Sequence, residues 1–196
     1  MDIKQLTAIV MQILSILTLL GGIWSIITIL LLIVQCIRRK SPIALIEKYV
    51  RFCGSKAYLG SFIVALLAMS GSLYFSDIAL YKPCVLCWYQ RILMYPQVAL
   101  LLVSLIQRTR TITAHILTLS GIGAVIAAFH YYEQITNTQI VPCGIVGMSA
   151  SCSEKFFMQF GYITIPMMAL TAFVMIILLM IMSKCATKNT KPIATV

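Results

Sequence analysis

The chain has 196 residues, of which 61% are hydrophobic and only 10% charged, and its mean hydropathy is +0.98. A soluble domain is closer to half apolar and a quarter charged, so this composition suits lipid as the solvent. The net charge of +10 does not mark a nucleic-acid binder, because the basic residues sit between apolar spans and not on a soluble face.

The first apolar run, Leu6 to Ile37, carries no charge and is followed at once by Arg38-Arg39-Lys40. It exceeds the roughly 7–15 apolar residues of a cleavable signal peptide, and its leading flank, with Asp2 and Lys4, is not clearly positive. It reads as a retained helix, followed by a basic linker up to residue 56. A second span is expected at about Ala57 to Ile78 and a third at about Ile92 to Ile106. A fourth should cover about Ala114 to Tyr132 and a fifth about Tyr162 to Met182, leaving residues 184–196 as a tail. A bilayer core needs about 20 apolar residues per helix. The third run is short, but Arg91 and Arg108 at its ends can reach back to the interface. Pro96 within it is tolerable if neighbouring helices satisfy the freed carbonyl.

Five spans put the termini on opposite sides, and loop charge sets the orientation. With the N-terminus outside, the cytoplasmic side holds Arg38, Arg39, Lys40, Lys48, Arg51, Lys56, Arg108, Arg110, Lys184, Lys188 and Lys191. The outer side holds only Lys4, Lys82, Arg91 and Lys155. The expected topology is therefore N-out and C-in.

That orientation sorts the seven cysteines. Cys84 and Cys87, then Cys143 and Cys152, fall in the two outer loops, whereas Cys36, Cys53 and Cys185 fall near the reducing cytoplasmic face. Two structural staples are one reading. The string Pro83-Cys-Val-Leu-Cys-Trp-Tyr-Gln-Arg91 favours another, because a Cys-x-x-Cys ring is too small to restrain an unfolded chain much. Such rings are common at redox sites, where a helix N-terminus or a cation stabilises the thiolate. A helix starting near Pro83 would place Cys87 and Arg91 four residues apart on one face. Zinc is poorly served, since the second pair lacks the repeated Cys-x2-Cys spacing. Haem attachment is excluded by Trp88, which stands where a histidine is needed.

Cys84-Val-Leu-Cys87-Trp-Tyr-Gln-Arg91, with Cys143 and Cys152 in the second outer loop, resembles the DsbB/BdbC family of disulfide-bond formation proteins. The resemblance covers about Ala57 to Met182 and implies an all-α, polytopic membrane protein. Its core would be a four-helix redox bundle at residues 57–183, with residues 1–56 adding an N-terminal transmembrane helix. It also implies a bacterial inner-membrane oxidoreductase that reoxidises a DsbA-like thioredoxin-fold partner and passes electrons to ubiquinone or menaquinone; that DsbA–DsbB–quinone chain is a known oxidising system. By position, Cys143 would form the mixed disulfide with the partner, Cys152 would pass electrons to Cys84, and Cys87 would meet the quinone. Arg91 matches the family arginine that holds the quinone ring. Two rivals stand: a vitamin-K-epoxide-reductase-like enzyme, in which the two cysteine pairs come in the opposite order, and a non-enzymatic scaffold with two structural disulfides.

His130, in His130-Tyr-Tyr-Glu133, is a candidate quinone contact, because ionisable groups within a membrane are functional candidates; a tyrosine-flanked histidine is also an ordinary interface anchor. Trp88 could stack on the quinone but reads first as another interface anchor, and Glu133 reads as a solvated end residue. Ser151 and Glu154 have capping-box spacing, which suggests a short surface helix toward Gly161; otherwise the phenylalanines there begin the fifth span. Gly121 and Gly123 are expected to allow close helix packing.

Overall fold

Within a bilayer every backbone N–H and C=O must find its partner inside the protein, so apolar runs of this length fold as helices. The computed structural model of the chain describes residues 3–38, 43–138, 152 and 157–188. Among them are six helices: α1 (Ile3–Ile37), α2 (Ala44–Ser55), α3 (Ala57–Leu73), α4 (Val85–Gln107), α5 (Thr113–Thr136) and α6 (Ile165–Lys188). A single π-helical turn, Tyr74–Ile78, extends α3. All but α2 are long and apolar enough to cross a membrane. At 1.5 Å per residue, helices α3 to α6 reach roughly the 30 Å of a bilayer core, and α1, near 52 Å, exceeds it.

Helix α6 is the hub, packed by α1, α2, α3 and α5. Its Phe173, Ile176 and Met180 are fully buried. Close approach to α5 depends on Gly123, where an added Cβ would fall 2.4 Å from the Phe173 ring. Gly121 does not share that role, since nothing lies within 4 Å of its Cβ position. Several polar side chains pair across helices inside the bundle: Ser120 Oγ donates to Gln97 Oε1 at 2.8 Å, and the Tyr58 and Thr113 hydroxyls meet at 2.6 Å. Beside Pro96, Gln97 Nε2 donates to the Leu93 carbonyl at 2.9 Å.

Three expectations are corrected. The third span is not short, because Val85 to Arg91 form the first two turns of α4 and lengthen the apolar run to Gln107. Within the N-terminal linker, Ala44–Ser55 is helical. Ile46, Val50 and Gly54 lie four residues apart on one buried face, and a Cβ on Gly54 would fall 2.6 Å from the Met182 carbonyl oxygen of α6. Tyr49 Oη, 2.8 Å from Thr28 Oγ1, ties this helix to α1.

The third correction concerns the segment before α6. Residues 157–164 are not helical; Gln159 and Ile163 form an isolated antiparallel bridge. Between them Phe160 and Gly161 take positive φ values of 52° and 76°, a turn that glycine permits without Cβ strain. Helix α6 then starts at Ile165, with Pro166 in its first turn. The Ser151–Glu154 capping box lies outside the described residues.

Candidate redox site

The Cys-x-x-Cys string acts first as a helix start. Cys84 is the N-cap of α4, with extended backbone, and its sulfur accepts the Cys87 backbone N–H at 3.3 Å. Pro83 therefore precedes the cap and does not open the first turn. A helix N-terminus offers unpaired N–H groups and a positive dipole end, which favours thiolate character nearby. The Cys84 thiol donates to Cys87 Sγ, 3.0 Å away. The dithiol needs little movement to close a disulfide.

Helix α5 supplies the wall behind Cys84. His130 is 2% exposed; its Nε2 lies 3.5 Å from Cys84 Sγ and its Nδ1 2.9 Å from Gln90 Nε2. An amide nitrogen only donates, so Nδ1 accepts and the ring proton sits on Nε2, facing the sulfur and the Cys152 backbone. The Cys84 and Cys87 sulfurs and the imidazole lie within 4.8 Å of one another. Those donor types would also suit a soft metal ion.

Cys152 is buried against Cys84 and Leu86. Its thiol hydrogen-bonds Cys84. That bond lowers the Cys84 pKa, but the bond to Cys87, burial and the Cys87 charge outweigh it and push Cys84 up to about 12. The Cys152 thiol is also pushed up, first by its bond to Cys84 and then by burial, with the Glu133 charge adding to both. Glu133 is fully buried, so it is not the solvated end residue that the sequence suggested. It sits one turn past His130, and that i, i+3 spacing was the available signal. Cys143 lies outside the described residues.

On the other side of Cys87 is a cavity of about 240 Å³, lined by Cys87, Gln90, Arg91, Met94 and Tyr95 of α4. Ser72 and Phe75 bound it from the α3 end, Met168 and Ala172 from α6, and Leu14 from α1. Cys87 and Arg91 therefore share a face, as their spacing predicted. Arg91 Nε donates to Ser72 Oγ at 2.9 Å and its Nη2 to the Ser72 carbonyl at 3.0 Å, while the guanidinium stacks 5.3 Å over the Trp88 ring. The Tyr95 hydroxyl, missed from sequence, is buried with no hydrogen-bond partner among the described residues. His130 is not among the cavity's lining residues; its contacts with Cys84 and Gln90 link it to this region.

Membrane-length helices around a buried dithiol at a helix N-terminus, with a third cysteine against it, define a membrane disulfide oxidoreductase. Residues 55–183 match the family model described as "Disulfide bond formation protein DsbB". The chain belongs to that family, as the motif resemblance implied. "Disulfide bond formation protein C" of Bacillus subtilis (strain 168) is 46% identical over 126 residues, 63% of this chain and 89% of that protein. "Probable disulfide formation protein C" of Halalkalibacterium halodurans is 45% identical over 121 residues, covering 60% and 85%. "SPbeta prophage-derived disulfide bond formation protein B" of Bacillus subtilis (strain 168) is 38% identical over 124 residues, covering 61% and 82%. No solved structure matches the chain.

Proposed function

We propose that this protein reoxidises a DsbA-like thioredoxin-fold dithiol partner outside a bacterial cytoplasmic membrane and delivers the electrons to ubiquinone or menaquinone. The observation that carries the reading is the placement of Cys87, which has Cys84 on one side and the apolar, Arg91-bearing cavity on the other. The basic-residue count supports an N-out chain with the cysteine loops on the outer face.

The cavity's chemistry fits a quinone. Its walls are mostly apolar, two of the five guanidinium N–H groups of Arg91 are engaged by Ser72, and the buried Tyr95 hydroxyl is a donor with no partner among the described residues. A quinone held there would supply the acceptor for two electrons and two protons.

The protein's own part is thiol exchange. Oxidation of the partner's two thiols to a disulfide reduces a Cys143–Cys152 disulfide to two thiols. A Cys152 thiolate then attacks Cys84, breaking the Cys84–Cys87 bond and leaving Cys87 as thiolate beside the cavity; the Cys143 thiolate next attacks Cys152, re-forming the Cys143–Cys152 disulfide and releasing Cys84 as thiolate. His130 Nε2–H faces Cys84 Sγ, where it steadies negative charge on that sulfur during exchange, and Arg91 offers a cation one turn beyond Cys87.

The test is quinone reduction by purified protein supplied with a reduced thioredoxin-fold partner. Reduction that needs both partner and Cys87 supports the reading. A protein that carries both outer disulfides yet reduces no quinone would leave the scaffold reading in place.

A further inference from the structure

The DsbB family model begins at residue 55, yet the cavity beside Cys87 is not closed by the family core alone. Leu14, Leu17 and Thr18 of α1 line it. Helix α1 is fixed at this height by contacts on both sides of those residues. Thr7 Oγ1 lies 3.2 Å from Tyr74 Oη. A Cβ on Gly21 would fall 2.7 Å from Met175 Sδ, and one on Gly71 would fall 3.1 Å from Leu14 Cδ1. The glycines therefore let α1 lie flush against α3 and α6 where the cavity opens.

What α1 offers the cavity is one-sided. Leu14 and Leu17 are aliphatic, and the Thr18 hydroxyl donates back to the Leu14 carbonyl at 2.8 Å, so this wall has no free side-chain donor for a quinone oxygen. The side chains that can donate lie away from α1: Arg91, Gln90 and Tyr95 on α4, Tyr81 and Lys82 in the segment leading into it, Ser72 on α3 and Thr171 on α6. We propose that α1 forms an additional wall of the quinone site and grips the isoprenoid chain, leaving the ring to α4. This rests on the quinone reading above. It gives residues 1–56 a role in substrate selection beyond membrane anchoring.

The test compares two quinones with the same ring, one bearing an isoprenoid tail and one bearing only a methyl group, in the full-length protein with a reduced thioredoxin-fold partner. Leu14→Ala and Leu17→Ala should each raise KM for the tailed quinone by about tenfold, the loss expected for one leucine-sized apolar contact. KM for the tail-less ring should change less than about twofold. Leu14→Trp, which fills the space against Gly71, should show the same selectivity. Ile26→Trp, at a position 61% exposed on α1 and away from the cavity lining, should alter neither. A tailed quinone carrying a photoreactive group near the end of its chain should label α1 in the unmodified protein. If wild-type protein reduces both quinones but the Leu14 and Leu17 variants treat them alike and α1 is unlabelled, the α1 wall is wrong and the quinone reading survives. If wild-type protein reduces neither, the quinone reading falls and the α1 wall with it.

Discussion

The His130 imidazole bridges Cys84 and Gln90, with Nε2 3.5 Å from the sulfur and Nδ1 2.9 Å from the amide nitrogen. Because Gln90 belongs to the same helix face that presents Cys87 and Arg91 to the cavity, one short chain of contacts joins Cys84 to the cavity-lining face of α4. Gln90 also fixes which imidazole nitrogen keeps the proton.

His130→Ala should therefore slow thiol exchange at Cys84 more than it weakens quinone binding. A hydrogen bond to a charged group contributes roughly 1.5–3 kcal/mol, so kcat should fall by at least about tenfold, with KM for quinone within about twofold. Gln90→Leu should produce a smaller fall of the same kind by releasing the tautomer. Steady-state kinetics at varied quinone concentration checks this. A rise in KM with kcat unchanged would instead make His130 a direct quinone contact.

Arg91 carries the opposite expectation. Arg91→Ala should raise KM for quinone by roughly tenfold to over a hundredfold while both outer disulfides still form. Arg91→Lys should recover only part of the loss, since an ammonium cannot reproduce the paired bonds to Ser72 Oγ and carbonyl. Tyr95→Phe should raise KM by a few fold, about one neutral hydrogen bond. Unchanged constants in the Arg91 variants would reduce that residue to an interface anchor on Trp88.

With its pKa near 12, Cys84 should remain a thiol across ordinary pH, and Cys152, also pushed up, should behave alike. In the fully reduced protein neither should react appreciably with iodoacetamide between about pH 6 and 9, where a thiol of ordinary pKa, near 8.5, becomes largely thiolate. Mass-spectrometric mapping of alkylated cysteines reads this directly. Alkylation of Cys84 with a midpoint near the ordinary value would contradict the buried, hydrogen-bonded arrangement.

Gly121 and Gly123 offer a stability contrast. Gly123→Ala places a methyl 2.4 Å from the Phe173 ring and should cost roughly 1–3 kcal/mol of overpacking. Gly121→Ala faces open space and should be neutral, or stabilising through better helix propensity. Thermal melts in detergent should lower Tm only for the first.

The membrane helices, the Cys84–Arg91 motif and its shared face were legible because hydropathy and i, i+4 spacing act locally. The second span ends where the apolar run ends, at Ile78. Burial of Glu133 had only its i, i+3 spacing from His130 as a signal, because the packing that covers it, near Cys152, is not local in sequence. The Tyr95 hydroxyl, without a partner among the described residues, was likewise invisible, since only the facing helices show what it lacks. Helix α2 was passed over as a basic linker, although Ile46, Val50 and Gly54 already had helical spacing; Lys48 and Arg51 masked it. The α1 wall depends on Gly21 and Gly71 meeting side chains far away in sequence, which no local pattern reveals.

Electrons should cross from the second cysteine pair to the first through Cys152 and Cys84. Removing the flanking thiols in a Cys87→Ser, Cys143→Ser double variant leaves those two as the remaining cysteines of the two pairs. After mild oxidation in the membrane, proteolysis without reductant and mass spectrometry should recover a peptide linked through Cys84 and Cys152, as their burial against each other requires. Recovery of both cysteines as free thiols, with disulfides still forming in wild-type protein, would contradict the relay.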